Sequence, residues 1–224
     1  MDELELIKAR HSVRAYLDVP LEGEKVEILS NLIASINRET NLRIQLILDE
    51  PKAFDCFLAH YGTFSGVKNY IALVGPVKDK NLSIKLGYYG EKLVLKAQEI
   101  GLNTCWVGAS YKKKNCPVII EKGEKLVLVI AIGYGKHRGF AHKSKTISQV
   151  SGGEAVPNWF KQGVEAALLA PTAMNQQKFF FTYLGDNKVA FKTKIGPFAK
   201  VDLGIAMCHF EIGANNRHPI EWRN

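Results

Sequence analysis

The most constraining feature of this sequence is an uninterrupted run of aliphatic and β-branched residues, KLVLVIAIGYG, at 125–135. A strand with one face in water alternates apolar and polar residues, whereas a continuous apolar run indicates a strand buried on both faces. Such a strand needs cover on both sides of its sheet, and helices commonly supply it. The run therefore predicts a sheet that is covered by helices.

Helical and strand patterns interleave along the rest of the chain. Apolar residues recur at helical spacing in GEKVEILSNLIASINR (23–38), and a longer helical pattern begins at Leu82 and stops at Gly101. We predict helices over 2–10, 23–38, 52–60, 82–101, 158–170 and 202–215, and further strands over 43–48, 69–75 and 178–184.

The second part of the chain resembles a diverged copy of the first. LIASINRETNLRIQLILD (32–49) and LLAPTAMNQQKFFFTYLGD (168–186) share one order of helix, polar loop, strand and Asp. KLGYYGEKLVLKA (85–97) aligns without gaps on DLGIAMCHFEIGA (202–214), although the identities are few and chance is a competing explanation. We predict one domain over 1–224 with an internal repeat of 1–150 and 151–224.

The charge balance favours an anionic ligand. The 30 Lys and Arg residues outnumber the 22 Asp and Glu residues, which gives a formal charge of +8. Nucleic acid is an alternative partner, but the basic residues are dispersed and no nucleic-acid-binding motif appears, so we expect none. No apolar run approaches the roughly 20 residues of a membrane span, and MDELELIKAR is unlike a secretion signal. We expect no membrane partner.

The cysteines indicate a reducing compartment. Cys56, Cys105, Cys116 and Cys208 show no CxxC spacing, so neither a metal site nor a disulfide framework is predicted. Reduced thiols are typical of the cytoplasm, which we take as the expected localisation.

The segment RHSVR at 10–14 gathers cationic groups and a hydroxyl in five residues. Guanidinium forks and a hydroxyl suit the oxygens of a phosphate, whereas the alternative is a solvated basic turn. The segment alone leaves both interpretations open.

Four segments together resemble the nitroreductase family of flavin-dependent oxidoreductases. RHSVRAY (10–16) resembles the family's Arg-(Arg/His)-Ser-x-Arg-x-(Phe/Tyr) opening, and APTAMNQQ (170–177) its Pro-Ser-x-x-Asn-x-Gln loop. LKAQEIGLNTCWVG (95–108) is similar to the family's helix and Gly-Leu-Gly-Thr-Cys-Trp-Ile-Gly segment. VIAIGYGKHRG (129–139), followed by HKSKTISQV (142–150), is similar to its late strand and basic tail.

The resemblance implies an α+β three-layer sandwich whose central, mostly antiparallel sheet is flanked by helices, with a pseudo-two-fold internal repeat. It also implies bound FMN, NADH or NADPH as electron donor, and a small-molecule acceptor such as a nitroaromatic or quinone. The FMN-binding residues that it implies are Arg10, His11, Ser12 and Arg14 for the phosphate, Pro171, Thr172, Asn175 and Gln177 beside the ring, and Lys143 or Lys145, less so Arg138, as a further phosphate contact.

Each of these assignments has a simpler alternative. Residues 138–145 could form a solvated basic loop, APTAMNQQ a helix end, and Gln177 a solvent-facing residue at the start of a strand. TCWVG (104–108) is expected to be a core strand, and nothing near Cys105 in sequence supports a nucleophilic role. No catalytic side chain is assigned, since hydride passes directly between a flavin and its substrates.

The order of the motifs departs from the family pattern. The Pro-Ser-x-x-Asn-like loop follows the late strand here, and IASINRETN, where the family has that loop, lacks a proline. In the family, two chains build each flavin site, one supplying the phosphate motif and the other the ring-side loop. A fused, diverged repeat would supply both from one chain, which predicts one FMN per chain in a monomer, although a homodimer stays open.

Two other functions compete with this assignment. AIGYGKHRG suggests a dinucleotide-binding glycine turn, but the spacing is Gly-x-Gly-x-x-x-Gly and no acidic residue is well placed after it. The other alternative is a non-catalytic flavin- or nucleotide-binding sensor or carrier on the same fold. A flavoprotein that does not oxidise a nicotinamide would identify that case.

Overall fold

The computed structural model of the chain describes residues 2–215 and 219–223. Its helices are α1 (Glu3–Ala9), α2 (Gly23–Thr40), α3 (Phe57–Tyr61), α4 (Leu82–Glu99), α5 (Ile147–Val150), α6 (Asn158–Ala167) and α7 (Ala199–Ala214). Its strands are β1 (Gln45–Ile47), β2 (Asn69–Pro76), β3 (Asn103–Val107), β4 (Glu124–Gly133), β5 (Ser151–Gly152), β6 (Phe179–Tyr183), β7 (Lys188–Thr193) and β8 (Glu221–Arg223). The predicted α+β class, with mostly antiparallel pairing, is confirmed.

The contacts within the chain divide it into two compact units. The central unit comprises Arg10–Leu82 and Lys92–Phe140, and the terminal unit comprises Met1–Ala9, Ser83–Glu91 and Ala141–Asn224. Helix α4 therefore contributes its first half to the terminal unit and its second half to the central unit.

The central unit is built on an antiparallel sheet with the strand order β1-β2-β4-β3. β4 is the strand predicted from the apolar run, and its last six residues are all buried between β2 and β3. Helix α2 buries Leu29, Ile33 and Ile36, one face of the helical pattern that predicts it.

The terminal unit has its own sheet, with the order β5-β6-β7-β8. β6 and β7 form an antiparallel hairpin, whereas β5 and β8 pair in parallel with its two outer edges. Helix α7 is buried almost all round: only Lys200, Glu211 and Ile212 of its residues are not.

One local prediction needs correction, and several short elements were not predicted. The single helix predicted over 52–60 is instead a short 3₁₀ turn at Pro51–Ala53 followed by α3, with Phe54 and Asp55 outside both. Four elements were not predicted: α5, β5 and β8 have only four, two and three residues, and β7 depends on its pairing with β6.

Helices α4 and α7 cross at two glycines within the terminal unit. A Cβ added to Gly87 would overlap the carbonyl oxygen of Val201, and one added to Gly204 would overlap the carbonyl oxygen of Ile84. When 85–97 is aligned with 202–214, Gly87 corresponds to Gly204. Ile84 lies three residues before Gly87, as Val201 lies three residues before Gly204. The contact is therefore reciprocal, as in a two-fold interface. This reciprocity supports the internal repeat, which stays a prediction.

A buried polar pair joins the same two helices. The Nε2 of His209 lies 2.9 Å from Oε1 of Glu91, and neither side chain has exposed surface. The other ring nitrogen, Nδ1, lies 3.2 Å from the carbonyl oxygen of Ala166 in α6. Because buried polar groups are costly unless they are hydrogen-bonded, this arrangement favours one register of the three helices.

Candidate functional site

The segment that carries the RHSVR motif is extended rather than turned. Ser12 forms a parallel bridge with Thr104 of β3, and Ala15 forms one with Ser65. Tyr16 forms an antiparallel bridge with Gly135, just after β4. We name Arg10–Arg14 the clamp segment. Backbone hydrogen bonds of 3.0 Å hold the segment on two sides, from the Val13 N–H to the Thr104 carbonyl oxygen and from the Ser65 N–H to the Arg14 carbonyl oxygen. The interpretation as a solvated basic turn is therefore wrong for its backbone.

Alternate residues of the clamp segment place their polar groups together. In an extended chain, residues two apart share a face, and the side chains of Arg10, Ser12 and Arg14 all interact with the thiol of Cys105. The intervening Val13 is fully buried in the core. Arg10 is only 4% exposed, whereas Arg14 is exposed and its Cζ lies 5.9 Å from the ring centroid of Phe64.

Cys105 is a neighbour of the clamp and not a nucleophile. Burial raises the pKa of its thiol, and the opposing effects of Arg14, Ser12 and Arg10 are each smaller. The thiol therefore stays protonated at neutral pH, and only the thiolate would be reactive.

The chain after β4 passes along the clamp backbone. Gly139 has φ +76°, and a Cβ at this position would lie 2.7 Å from the Cβ of His11 and 3.0 Å from the carbonyl oxygen of Ser12. A residue with a side chain is excluded here on both conformational and steric grounds. This contact places the GKHRG segment beside His11.

The segment APTAMNQQ forms a tight loop of the terminal unit, which we name the ring-side loop (Ala170–Gln177). Met174, Asn175 and Gln177 all have left-handed backbones, with φ of 51°, 52° and 42°. Such residues cost on the order of 1 kcal/mol each and concentrate at functional sites. Pro171 is buried, and the hydroxyl oxygen of Thr172 accepts a hydrogen bond of 3.1 Å from the Gln177 backbone N–H.

The predicted residues Lys143 and Lys145 lie along this loop. The carbonyl oxygen of Lys143 accepts hydrogen bonds from Asn175 Nδ2 at 2.8 Å and from Gln177 Nε2 at 2.9 Å. The Lys145 N–H donates to Gln177 Oε1, and its Nζ donates to the carbonyl oxygens of Gln176 and Gln177, each at 2.8 Å. Four predicted site residues are thus brought together, and Gln177, at 2% exposure, does not face solvent.

Asp202 is a residue of this site that the sequence does not reveal. Its carboxylate accepts the Ala173 N–H on both oxygens at 3.1 Å and Gln176 Nε2 at 3.0 Å. The side chain is 3% exposed, and burial raises its pKa to about 6 against the smaller lowering effects of Gln176, Ala173 and Lys178. The one available signal was a lone carboxylate in the apolar pattern VDLGIAMC.

Replacing Asp202 with asparagine should change how stability depends on pH. The folded pKa of about 6 exceeds the unfolded value of about 3.9, so the carboxyl favours folding at low pH and this contribution is lost as pH rises through 6. The free energy of unfolding of the wild type, relative to Asp202→Asn, should therefore fall by about 2–3 kcal/mol between pH 4 and pH 7. Urea denaturation across this range measures it.

The matched control is Asp186→Asn, because Asp186 is exposed in the same unit. Its unfolding curves should keep a constant separation from those of the wild type. Equal pH slopes for the wild type and Asp202→Asn would contradict the assigned role of the buried carboxylate.

Within the described residues, no group of three or more His, Cys, Asp and Glu side chains is arranged to hold a metal ion. In that same part of the chain, no helix combines the length and apolar character of a membrane crossing. The four cysteines are free thiols.

Solved structures of nitroreductase-like proteins share this fold. A "putative nitroreductase" from Thermotoga maritima has a TM-score of 0.68 at 24% identity, over 95% of this chain and 83% of that one. A nitroreductase-like protein from Streptococcus mutans has a TM-score of 0.53 at 13% identity, over 65% and 94%. A "putative NADH dehydrogenase/NAD(P)H nitroreductase" from Bacteroides thetaiotaomicron has one of 0.52 at 19%, over 66% and 95%.

No curated protein matches the chain. The model of the family described as "Putative TM nitroreductase", in contrast, matches residues 2–214, which is nearly the whole chain and includes both the clamp segment and the ring-side loop. The fold, the motifs and this match agree, and the chain belongs to that nitroreductase family.

Proposed function

We propose that this chain is an FMN-dependent oxidoreductase that uses NADH or NADPH to reduce nitroaromatics, quinones or similar electron-poor small molecules. Membership of the family indicates an oxidoreductase. The observation that carries the proposal for FMN is the donor set of the clamp: two guanidinium groups and a hydroxyl at alternate positions of a backbone that is held in place.

The clamp fits a phosphate dianion. Arg10 and Arg14 each present planar N–H forks, and Ser12 adds an O–H donor. The burial of Arg10 strengthens its interaction with an anion because water screens it less. We assign these three residues to the FMN phosphate, and His11 to a backbone role beside Gly139.

The ring-side loop fits the polar edge of a flavin in its chemistry. Thr172 accepts from Gln177 and keeps its O–H to donate. Asn175 is exposed, and after it donates to the Lys143 carbonyl oxygen and accepts from Gln177 Nε2 its amide keeps one N–H and one acceptor position. Two buried side chains stabilise the strained loop: Gln177 Nε2 donates to Asn175 Oδ1, and the Asp202 carboxylate accepts from the Ala173 N–H. The contacts predicted for Lys143 and Lys145 with the FMN phosphate stay predictions, since both lysines are held along this loop.

A bound flavin would supply the redox chemistry, and the protein would bind and orient it. No titratable side chain of this chain is assigned to proton transfer. The same proposal includes a cytoplasmic location, which the free thiols favour, and a monomer with one FMN per chain, with a homodimer as the alternative.

The proposal predicts two separable half-reactions. Anaerobic addition of NADH or NADPH to the purified flavoprotein should bleach the visible flavin absorbance, and a nitroaromatic or quinone should restore it, because electrons leave the donor before the acceptor reacts. Absorbance spectra recorded after each addition measure both steps.

Two outcomes would count against the proposal. Flavin that stays oxidised under excess NADH and NADPH would assign the chain to the non-catalytic sensor or carrier class. A preparation that neither contains FMN nor binds added FMN would remove the flavin altogether.

A further inference from the structure

A cluster of three lysines, Lys145, Lys178 and Lys194, lies beside the ring-side loop, and two of them, Lys178 and Lys194, have no part in the contacts assigned above. In the hairpin of the terminal unit, Phe179 of β6 pairs with Thr193 of β7, so Lys178 and Lys194 emerge side by side at its open end. The Lys194 N–H donates to the carbonyl oxygen of Lys178 at 3.0 Å. Lys145 belongs to the cluster because its Nζ donates to the carbonyl oxygen of Gln177, the residue before Lys178, at 2.8 Å. Burial, and then the charges of Lys194 and Lys178, lower the pKa of Lys145.

Backbone carbonyls hold two of these ammonium groups in place. Lys178 Nζ donates to the carbonyl oxygen of Ile195 at 3.0 Å, and Lys145 Nζ donates to the loop. An ammonium group has three donors, so each of the two keeps at least one N–H for a ligand. The lack of a side chain at Gly196 leaves space beside the Lys178 ammonium group, since a Cβ there would lie 2.6 Å from Lys178 Nζ.

The cluster carries positive charge that no surface carboxylate balances. Across residues 2–215 and 219–223, none of the three lysines forms an ion pair within 4.0 Å of a carboxylate. Asp202 interacts with Lys178 only electrostatically, beyond ion-pair distance. The carboxylate oxygens of Asp202 already accept hydrogen bonds from Ala173 and Gln176. An anion with more than one charge would remove this mutual repulsion.

Apolar side chains next to the cluster indicate more than a bare phosphate. Ile195 follows Lys194 directly and is 99% exposed, and Met174 of the ring-side loop is 81% exposed. Gln176 joins these two segments, since its Nε2 donates to the carbonyl oxygen of Pro197 at 2.8 Å. A ligand that combines phosphates with flat, weakly polar rings would use both kinds of surface.

We propose that Lys178 and Lys194, with the neighbouring Lys145, bind the phosphates of the nicotinamide dinucleotide that donates electrons. The choice of ligand rests on the function proposed above, but the lysine site itself does not require bound FMN. The 2′-phosphate and the pyrophosphate share the chemistry that this site recognises.

Calorimetric titration with ADP-ribose and with 2′-phospho-ADP-ribose tests the site directly, because these probes carry the phosphates without a nicotinamide. Lys178→Gln and Lys194→Gln should each raise the Kd of at least one probe about tenfold, the loss of one charge-assisted hydrogen bond. If the variants lose affinity only for the 2′-phosphorylated probe, the 2′-phosphate binds at the lysines. If they lose affinity for both probes, the pyrophosphate binds there. Higher salt should weaken wild-type binding more than binding to the double variant.

Lys188→Gln is the matched control, since Lys188 lies at the opposite end of β7 and pairs with Asp186 at 3.6 Å. It should leave both Kd values unchanged. Equal affinities in wild type and the Lys178 and Lys194 variants would overturn the proposal, as would tighter, lysine-dependent binding of a single-stranded oligonucleotide. The flavin content of the same preparations tests the proposed function separately.

Discussion

Gly204→Ala should destabilise the protein by about 3 kcal/mol, and Gly87→Ala should have a similar effect. The Cβ that the first substitution adds cannot avoid a clash, because it meets main-chain atoms of α4: the carbonyl oxygen of Ile84 and, at 2.8 Å, the nitrogen of Tyr88. Relief would require the two helices to move apart. Urea denaturation of the purified variants measures the loss.

The control for this experiment is Gly23→Ala, where an added Cβ meets nothing within 4 Å. That variant should match the wild type or exceed it slightly, since alanine favours a helix. The two helix-crossing variants should also be non-additive when combined, because a Cβ on Gly87 would lie 3.1 Å from the Cα of Gly204. Unchanged stability in Gly204→Ala would mean that α4 and α7 do not cross this closely.

Removing both clamp guanidinium groups should weaken FMN binding by about a hundredfold or more. Each charge-assisted hydrogen bond contributes on the order of 1.5–3 kcal/mol, so Arg14→Ala alone should raise the Kd about tenfold or more, and Arg10→Ala similarly. Fluorescence titration of the apoprotein with FMN measures the Kd. Arg14 is exposed, so its single variant separates loss of binding from loss of folding.

Arg38→Ala is the control for general charge, because Arg38 is exposed in the last turn of α2. It should bind FMN as tightly as the wild type. If Arg10→Ala and Arg14→Ala also bind FMN unchanged, the clamp segment does not hold the phosphate.

Arg14→Ala and a second variant, Asn175→Ala, together test the predicted use of one chain per flavin. One FMN should saturate each chain, and a mixture of Arg14→Ala chains with Asn175→Ala chains should regain no binding. Recovery in the mixture would indicate that separate chains complete each other's sites. Helix α2 supports a single ring-side loop per chain, because it continues to Thr40 through the segment that aligns with Ala170–Gln177.

The sequence predicted the long, regular elements well. The bounds of α2 and α4 agree to within two residues, because their apolar periodicity extends over several turns. β4 was predicted from an apolar run that only a buried strand explains. β7, KVAFKT, carries no such signal: its two lysines, Lys188 and Lys192, are typical of a surface segment, and pairing with β6 makes it a strand.

For the candidate site, too, some features could be predicted from the sequence and others could not. Motif spacing was enough to select the clamp and the ring-side loop, but not their conformations or their supports. The clamp proved extended because its backbone partners, Thr104 and Ser65, lie far away in the sequence. Asp202 was missed because its contacts to Ala173 and Gln176 cross 29 and 26 residues, beyond the reach of any local pattern.

The burial of α7 has a consequence for how the chain folds during synthesis. The terminal unit takes its first segment from the N-terminus, but its buried helix ends at Ala214, near the other end of the chain. The apolar faces of α1 and of the first half of α4 therefore stay uncovered until α7 has been synthesised. The central unit is complete once Phe140 has left the ribosome, so it can fold first and the terminal unit last. Between these two folding events the uncovered apolar faces are available for chaperones to bind.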